Sequence, residues 1–213
     1  MFEEDIKNVL VSDMSIDISH LLMKTSSEEM SCYRTLAVST ITSFVNALKE
    51  QNQNKKIEKI NEIASQIKTK NQCPVFLEFI DSLRHAFISF SKGGLSELFI
   101  YQENESWYPK IVLNKILDPN DIDNLKQTVH VYRGCDLSEY KNQKYGQSWT
   151  TSKQVAYEFA YQHYNAQPWF EKKNRVLLSG YIDKEHIYYS NQSKYEREIA
   201  LNPTQLYNIK SYR

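Results

Sequence analysis

The chain has 213 residues, enough for one large domain or two small ones, and its 26 basic residues balance 26 acidic residues. This zero net charge argues against a general nucleic-acid-binding protein, and three widely spaced cysteines favour neither a disulfide framework nor a zinc site. Residues 1–5 are acidic, unlike a signal peptide, and no apolar run reaches membrane-spanning length. We therefore expect a protein without membrane contact, in the cytoplasm of the producing or the target cell.

Apolar residues recur at helical spacing through the first half of the chain. They predict a helix over about residues 27–50, a second around residues 57–67, and a third that begins at Pro74 and ends at Gly93 and Gly94. Stripes of this kind are typical of core-facing helices. Residues 1–128 are therefore expected to form a helical N-terminal region that carries no catalytic side chains.

From about residue 129 the spacing changes to that of strands. Short segments rich in β-branched and aromatic residues predict five strands, at about residues 129–132, 175–182, 186–189, 198–201 and 207–210. Helices followed by strands indicate an α+β fold. Residues 130–213 also hold 12 of the 15 tyrosines and a net charge of +4, which favours an anionic ligand here. The tyrosines either form surfaces for stacking bases or fill the core of the sheet.

Two segments of this part carry side chains suited to ligand binding. Arg133 stands at a predicted strand end, where its fork of donors suits a phosphate, and Gly134 is expected to let the backbone turn away. Residues 146–152 are rich in hydroxyls and precede a short helix with an apolar face at Val155, Ala156, Phe159 and Ala160. One hydroxyl is expected to cap this helix and another to orient a nearby carboxylate.

A third segment ends in two glutamates, Glu196 and Glu198. If extended backbone begins by residue 196, the two side chains point to the same face of a strand and converge on one ligand. Burying both is costly, because each ionised carboxylate disfavours the other. Taken alone, this fragment is more typical of a solvated strand edge that carries Glu and Arg.

In this order, the three segments resemble the motifs of the Arg-Ser-Glu class of mono-ADP-ribosyltransferases, which includes bacterial toxins, phage-encoded enzymes and vertebrate ecto-enzymes. The matching residues are Tyr132-Arg133-Gly134, Trp149-Thr150-Thr151-Ser152, and Glu196 with Glu198. The resemblance covers residues 129–213. It implies a split, mixed β-sheet. This sheet would form a β-rich, NAD-binding catalytic core over residues 129–213, which follows the helical region of residues 1–128 in the sequence.

The same resemblance implies that NAD⁺ is the substrate, without a metal, and that its nicotinamide–ribose bond is cleaved. Glu198 would stabilise the oxocarbenium-like ribose and Arg133 would hold the phosphate. Thr150 would position Glu198, unless Ser148 or Ser152 is the true equivalent. Further cofactor contacts are expected from Tyr132, Gly134, Trp149, Thr151, Ser152 and Phe159. Of these, Phe159 leads as the ring packed on nicotinamide, with Trp149 and Tyr132 behind it.

The resemblance also assigns an acceptor side to the site. Glu196 would engage the acceptor, and Tyr195, in the loop before it, would contact the acceptor as well. A glutamate at this place accompanies arginine acceptors in the family, so we expect a protein arginine, modified by a toxin or host-modifying effector that has an antitoxin as a further partner. Two alternatives stay open: transfer to RNA or DNA bases, and an inert binding module that retains the fold.

Overall fold

The computed structural model describes residues 2–102, 107–167 and 170–212. The chain divides into two compact units, Met1–Val112 and Leu113–Arg213. Long helices occupy the first unit and a six-stranded sheet the second, so the predicted α+β class is confirmed. The first strand begins at Thr128, next to the predicted change at residue 129, although the boundary between the units lies earlier in the chain.

The first unit is built from helices around an aromatic core. These are α1 (Glu4–Asn8), α2 (Ile18–Thr25), α3 (Arg34–Leu48), α4 (Gln53–Lys70) and α5 (Pro74–Ile100). The side chains of Asp17 and Asn52 accept backbone N–H bonds and cap α2 and α4. Phe44 and Phe87 are fully buried, with ring centroids 5.3 Å apart. Across the described residues, no helix combines the length and the apolar character needed to cross a membrane.

The three helices predicted for this unit are present, with two differences. The first predicted helix begins as a 3-10 turn at Glu28–Tyr33 before α3 starts. The third ends at its glycine pair, as predicted, but a further helical segment that the sequence did not predict follows directly. Gly93 and Gly94 leave helical geometry, Gly94 with a φ of +67° that glycine adopts without strain, and the helix then resumes to Ile100.

The second unit contains β1 (Thr128–Asp136), β2 (Ser148–Thr150), β3 (Arg175–Asp183), β4 (Ile187–Asn191), β5 (Glu198–Leu201) and β6 (Tyr207–Tyr212). Their order in the sheet is β4-β5-β2-β1-β3-β6. All five predicted strands are confirmed, and β2, with three residues, is the one that the sequence did not predict. Every pairing among the described strands is antiparallel, where the resemblance implied a mixed sheet.

The two faces of this sheet differ in character. On the apolar face, Val131 and Cys135 of β1 pack with Trp149 and Ile199. The other face carries a row of Cα partners that crosses all six strands, made of Asn191, Glu198, Thr150, Tyr132, Ser179 and Lys210. β1 pairs with β2 at one position of this row and with β3 over nine positions. The sheet is therefore joined weakly between β1 and β2.

Two helices flank the sheet, α6 (Leu137–Asn142) and α7 (Lys153–Tyr161). α7 crosses β1 so closely that a Cβ added to Gly134 would lie 2.2 Å from the Ala156 carbonyl oxygen and 2.3 Å from the Ala160 nitrogen. The expectation that Gly134 turns the backbone was therefore wrong. β1 continues to Asp136, and the glycine is needed because a helix packs directly against it.

We expect Gly134→Ala to lower the free energy of unfolding by about 1–3 kcal/mol, because backbone atoms of α7 must move to admit the methyl group. Gly180→Ala is the matched control within the same sheet. The nearest atom to its added Cβ is a side-chain carbon of Ile209, at 3.4 Å. Urea unfolding followed by circular dichroism measures both, and equal stability of the two variants would contradict the packing role.

Candidate functional site

Arg133 lies on β1 just beyond the single pairing with β2. Its Nε and Nη2 donate to the two carboxylate oxygens of Glu139, each at 3.0 Å, and its Nη1 donates to the Ser148 carbonyl at 2.5 Å. The side chain is 20% exposed. Among the described residues, three of its five N–H groups are thus hydrogen-bonded, and the other two are available to a ligand.

Glu139 is the part of the site that the sequence reasoning missed. It lies in the first turn of α6 and also accepts the backbone N–H of Gly146 at 3.0 Å. Burial alone would lower the pKa of the Arg133 guanidinium, but the charge and hydrogen bonds of Glu139 outweigh it, so that pKa is raised. The available signal was an acidic residue in the helix turn that follows the arginine strand.

Ser148 connects Arg133 to Glu198. Its carbonyl accepts from Arg133, and its hydroxyl donates to Oε1 of Glu198 at 2.5 Å. The structure therefore pairs Glu198 with Ser148, the alternative, rather than with Thr150. The Thr150 hydroxyl instead donates to the Glu196 carbonyl at 2.6 Å and accepts the Ser152 N–H at 2.9 Å.

Glu198 is the first residue of β5 and is half-buried. Burial raises the pKa of its carboxyl, the Ser148 hydrogen bond lowers it in part, and the negative charge of Glu196 raises it again. Lys194 acts in the lowering direction. A carboxylate that is poorly hydrated and held by one hydroxyl interacts strongly with a positive charge placed beside it.

Glu196 does not share a strand face with Glu198, so that expectation was wrong. β5 begins only at Glu198, and Arg197 has a φ of +44°, which breaks the two-residue alternation of a strand. Glu196 is exposed on the loop, with its carbonyl held by Thr150. Its charge nevertheless reaches the Glu198 carboxyl.

Gln192 organises this loop and was also missed. Its side-chain nitrogen donates to the carbonyls of Arg197 and Glu198, at 3.3 and 3.4 Å, and its side-chain oxygen accepts from the Thr151 hydroxyl at 2.5 Å. Its backbone N–H donates to Asp121 at 2.6 Å. Thr151, expected to contact the cofactor, therefore supports the loop instead.

Tyr195 holds the outer side of the same loop. Its hydroxyl donates to Glu158 of α7 at 2.7 Å while the residue remains 71% exposed. A groove of about 410 Å³ lies between the loop and the start of α7, and it is lined by Ser152, Gln154, Val155, Gln192, Ser193, Lys194, Tyr195 and Arg197. This lining contains two cations and no carboxylate.

Of three further residues predicted to contact the cofactor, Trp149 and Ser152 have structural roles and Tyr132 lies on the face of the sheet that carries Glu198. Trp149 is buried in the apolar core, and its indole N–H donates to the Gly146 carbonyl, so it is not available to a cofactor. Ser152 caps α7 by accepting the Val155 N–H. Tyr132 stays on the Glu198 face of the sheet.

Phe159 lies at the C-terminal end of α7, next to a second aromatic residue that the sequence reasoning missed. Its ring centroid is 6.3 Å from that of Tyr164. Burial raises the pKa of the Tyr164 hydroxyl, Arg175 and Arg133 lower it, and Glu196 raises it. Tyr164 is therefore within electrostatic reach of both the arginine and the glutamate sides of the site.

No group of three His, Cys, Asp or Glu side chains is placed to hold a metal ion in the part of the chain that the structure describes. The described site instead offers one half-buried guanidinium, one hydroxyl and two carboxylates, arranged as Arg133, Ser148, Glu198 and Glu196. Such a set can bind an anionic group at one side and stabilise a developing positive charge at the other.

Comparisons with known proteins add little to this geometry. No protein-family model matches the chain, and no solved structure matches it. An alignment 102 residues long, which covers 45% of the chain, is 29% identical to the mitochondrial RNA-binding protein RMD9 of Meyerozyma guilliermondii. The chain spans 16% of the length of that protein.

We expect Glu139→Gln to lower the free energy of unfolding by about 1–3 kcal/mol, because it leaves the half-buried Arg133 cation without its counter-charge. Glu171→Gln is the control, since Glu171 forms an exposed ion pair with Lys173 and its loss should change stability by less than about 1 kcal/mol. Urea unfolding at pH 7 compares them. Equal midpoints would show that Arg133 does not depend on Glu139.

Glu198→Gln should make the protein more stable than the wild type at neutral pH. Because the folded-state pKa of Glu198 is raised, its contribution to stability is present below the unfolded-state pKa and is lost as pH rises through the folded-state value. The amide mimics the neutral acid, so the difference between variant and wild type should vanish near pH 4 and grow toward pH 8. Unfolding midpoints across this range test it, and a wild type that is the more stable at pH 8 contradicts it.

Proposed function

We propose that this protein cleaves the nicotinamide–ribose bond of NAD⁺ and transfers ADP-ribose to a macromolecular acceptor. The observation that supports it is the continuous contact from Arg133 through Ser148 to Glu198, which links three segments from different parts of the chain. A phosphate-binding group, a hydroxyl and a carboxylate together meet the needs of this reaction. No one of these residues would suggest it alone.

The reaction makes a positive charge that the site is suited to stabilise. As the C1′–N bond breaks, nicotinamide leaves with the bonding electron pair and C1′ of the ribose becomes oxocarbenium-like. The ionised carboxylate of Glu198 would lie beside this charge, and Ser148 would keep the carboxylate in place. The nucleophile of the acceptor then bonds to C1′ and releases its proton.

NAD⁺ would bind through the remaining N–H groups of Arg133. Two of its N–H groups are not engaged by Glu139 or Ser148, and they suit two phosphate oxygens. Since Glu139 already neutralises the cation, these contacts would act mainly as hydrogen bonds that fix the position of the dinucleotide. Tyr164 and Phe159 are the nearest candidates for packing on a ring of the substrate.

Glu196 would serve the acceptor, since it is exposed and precedes Glu198 on a loop held in place by Gln192 and Tyr195. Two acceptor classes fit the proposal. A glutamate here accompanies protein arginine in the resembled family. A nucleic acid is favoured by the two cations of the groove, Lys194 and Arg197, and by the partial likeness to a protein named as RNA-binding.

In the cell, such an enzyme would act as a toxin or a host-modifying effector in the cytoplasm, with an antitoxin as a partner. This setting rests on the resemblance in the C-terminal residues. Expression of the intact chain should then arrest growth of a bacterial host, whereas expression of Glu198→Gln should not. Growth arrest by both forms would place toxicity outside the proposed chemistry.

We expect Glu198→Gln to slow nicotinamide release from NAD⁺ by about 100- to 1000-fold, because the oxocarbenium charge loses its carboxylate. The variant should fold at least as well as the wild type, so the loss cannot be due to unfolding. In the wild type, kcat/KM should rise with pH through an inflection above the ordinary glutamate range, since Glu198 must ionise. Chromatography of released nicotinamide measures both.

Glu196→Gln is the companion variant and separates the two half-reactions. Transfer of label from NAD⁺ to cell protein or total RNA should fall more than simple NAD⁺ hydrolysis does. Equal loss of both would remove Glu196 from the acceptor side. If neither pool is labelled and no nicotinamide appears, the chain is an inert binding module.

A further inference from the structure

A cluster of aromatic rings lies on the sheet face that carries Glu198. We call it the tyrosine surface, and it consists of His130 and Tyr132 of β1, Tyr181 of β3, and Tyr207 and Tyr212 of β6. His130 stacks on Tyr181 with centroids 4.4 Å apart, and Tyr181 stacks on Tyr207 at 6.1 Å. Tyr132 lies 4.5 Å from His130. These four rings therefore form a continuous series of contacts across three neighbouring strands, and Tyr212 lies on the same strand as Tyr207.

These rings do not belong to the core of the unit. The apolar cluster around Val131 and Trp149 lies on the opposite face, and α7 covers the part of the ring-bearing face around Gly134. Tyr207 and Tyr212 are 38% and 40% exposed, and His130, Tyr132 and Tyr181 are half-buried. A continuous patch of partly exposed rings is typical of a binding surface. Of the two readings that the sequence left open for its tyrosines, stacking surface or sheet core, this cluster fits the first.

Hydrogen bonds at the ring edges hold the tyrosine surface in place. The Tyr132 hydroxyl lies 3.1 Å from Nδ1 of His130, and the Tyr207 hydroxyl donates to Asp183 at 3.1 Å. The Tyr212 hydroxyl accepts from Ser179 at 3.3 Å. Rings fixed in this way lose little conformational entropy when a flat ligand stacks on them.

Exposed cations border the tyrosine surface. Nζ of Lys153, in the first turn of α7, lies 4.8 Å from the Tyr212 ring centroid. Lys210 stands in the row of Cα partners that also holds Tyr132 and Glu198. One carboxylate, Asp183, lies at the far end and is engaged by Tyr207. Aromatic rings bordered by lysines match the two components of a nucleotide, its base and its phosphate.

We infer that the tyrosine surface binds single-stranded nucleic acid, with bases stacked on its rings and phosphates at Lys153 and Lys210. Along the shared row, Tyr132 is two strands from Glu198, which corresponds to about 10 Å between their Cα atoms. A strand stacked on these rings therefore passes beside Glu198. Its use as the ADP-ribose acceptor rests on the proposed function, but its binding does not.

Binding is measured by fluorescence anisotropy of a labelled single-stranded RNA of mixed sequence, with the full chain and without NAD⁺. Tyr207→Ala should weaken binding about tenfold at every salt concentration, because one stacking ring is lost. Tyr207→Phe should bind like the wild type, since it keeps the ring and loses only the bond to Asp183. Tyr101→Ala, which removes an exposed tyrosine from the other unit, should have no effect.

Lys210→Ala tests the phosphate contact separately. The binding of single-stranded RNA by this variant should depend less on salt, with the slope of log affinity against log salt reduced in magnitude by about one. A duplex of the same sequence should bind more weakly than the single strand, because its bases are already stacked. Equal binding of duplex and single strand, or unchanged binding of Tyr207→Ala, would overturn the inference.

The outcomes also separate this inference from the proposed function. Nicotinamide release from NAD⁺ should be the same in Tyr207→Ala and the wild type, while labelling of RNA should fall. Binding of RNA without any NAD⁺ cleavage would contradict the proposed transferase activity but support the inferred binding surface. Labelling of protein that depends on Tyr207, with no binding of single strands, would mean that the surface takes a protein and that the inference is wrong.

Discussion

The guanidinium of Arg133 bridges β1 and β2 at the point where the backbone pairing of the two strands ends. The two strands share one register position, and beyond it the backbone hydrogen bond of a regular sheet is replaced by a bond from Arg133 to the Ser148 carbonyl. Glu139 makes this arrangement stable, because a half-buried cation without a counter-charge is costly. On its other side β2 pairs with β5 at three positions, so the Arg133–Glu139 ion pair joins β1 to the strand whose Ser148 hydroxyl holds Glu198.

Ser148 in turn holds Glu198, whose ionised form is unfavourable in the folded protein. Its carboxyl is half-buried at the start of β5 and lies near a second carboxylate, so its pKa is raised despite the Ser148 hydrogen bond, and its ionised form lowers stability at neutral pH. Elements that fold for stability alone avoid such a group. A site that must meet a developing positive charge benefits from it, because a carboxylate without its water shell attracts that charge more strongly.

The periodicity of apolar residues predicted most of the fold, but it did not predict the features that depend on the contacts or conformation of single residues. The five longer strands and α4 follow from apolar spacing. The three residues of β2 are too few to show a period, and Glu139 meets Arg133 through a turn that no spacing rule describes. The Ser148 contact depends on the side-chain direction of Glu198. The left-handed φ of Arg197 removes Glu196 from the strand, which two carboxylates in a sequence cannot reveal.

The net charge of the whole chain does not represent the net charge of its C-terminal part. The zero net charge argued against nucleic acid, yet residues 130–213 carry a net +4, and several of these cations border the groove beside Glu196 or the tyrosine surface. An arginine side chain approaching Glu196 would meet Lys194 and Arg197, and it would find no carboxylate in the groove lining. A phosphodiester would be attracted by both. Glu196 itself suits either acceptor, so in the proposed function the preference for a nucleic acid rests on the cations around the loop rather than on its glutamate.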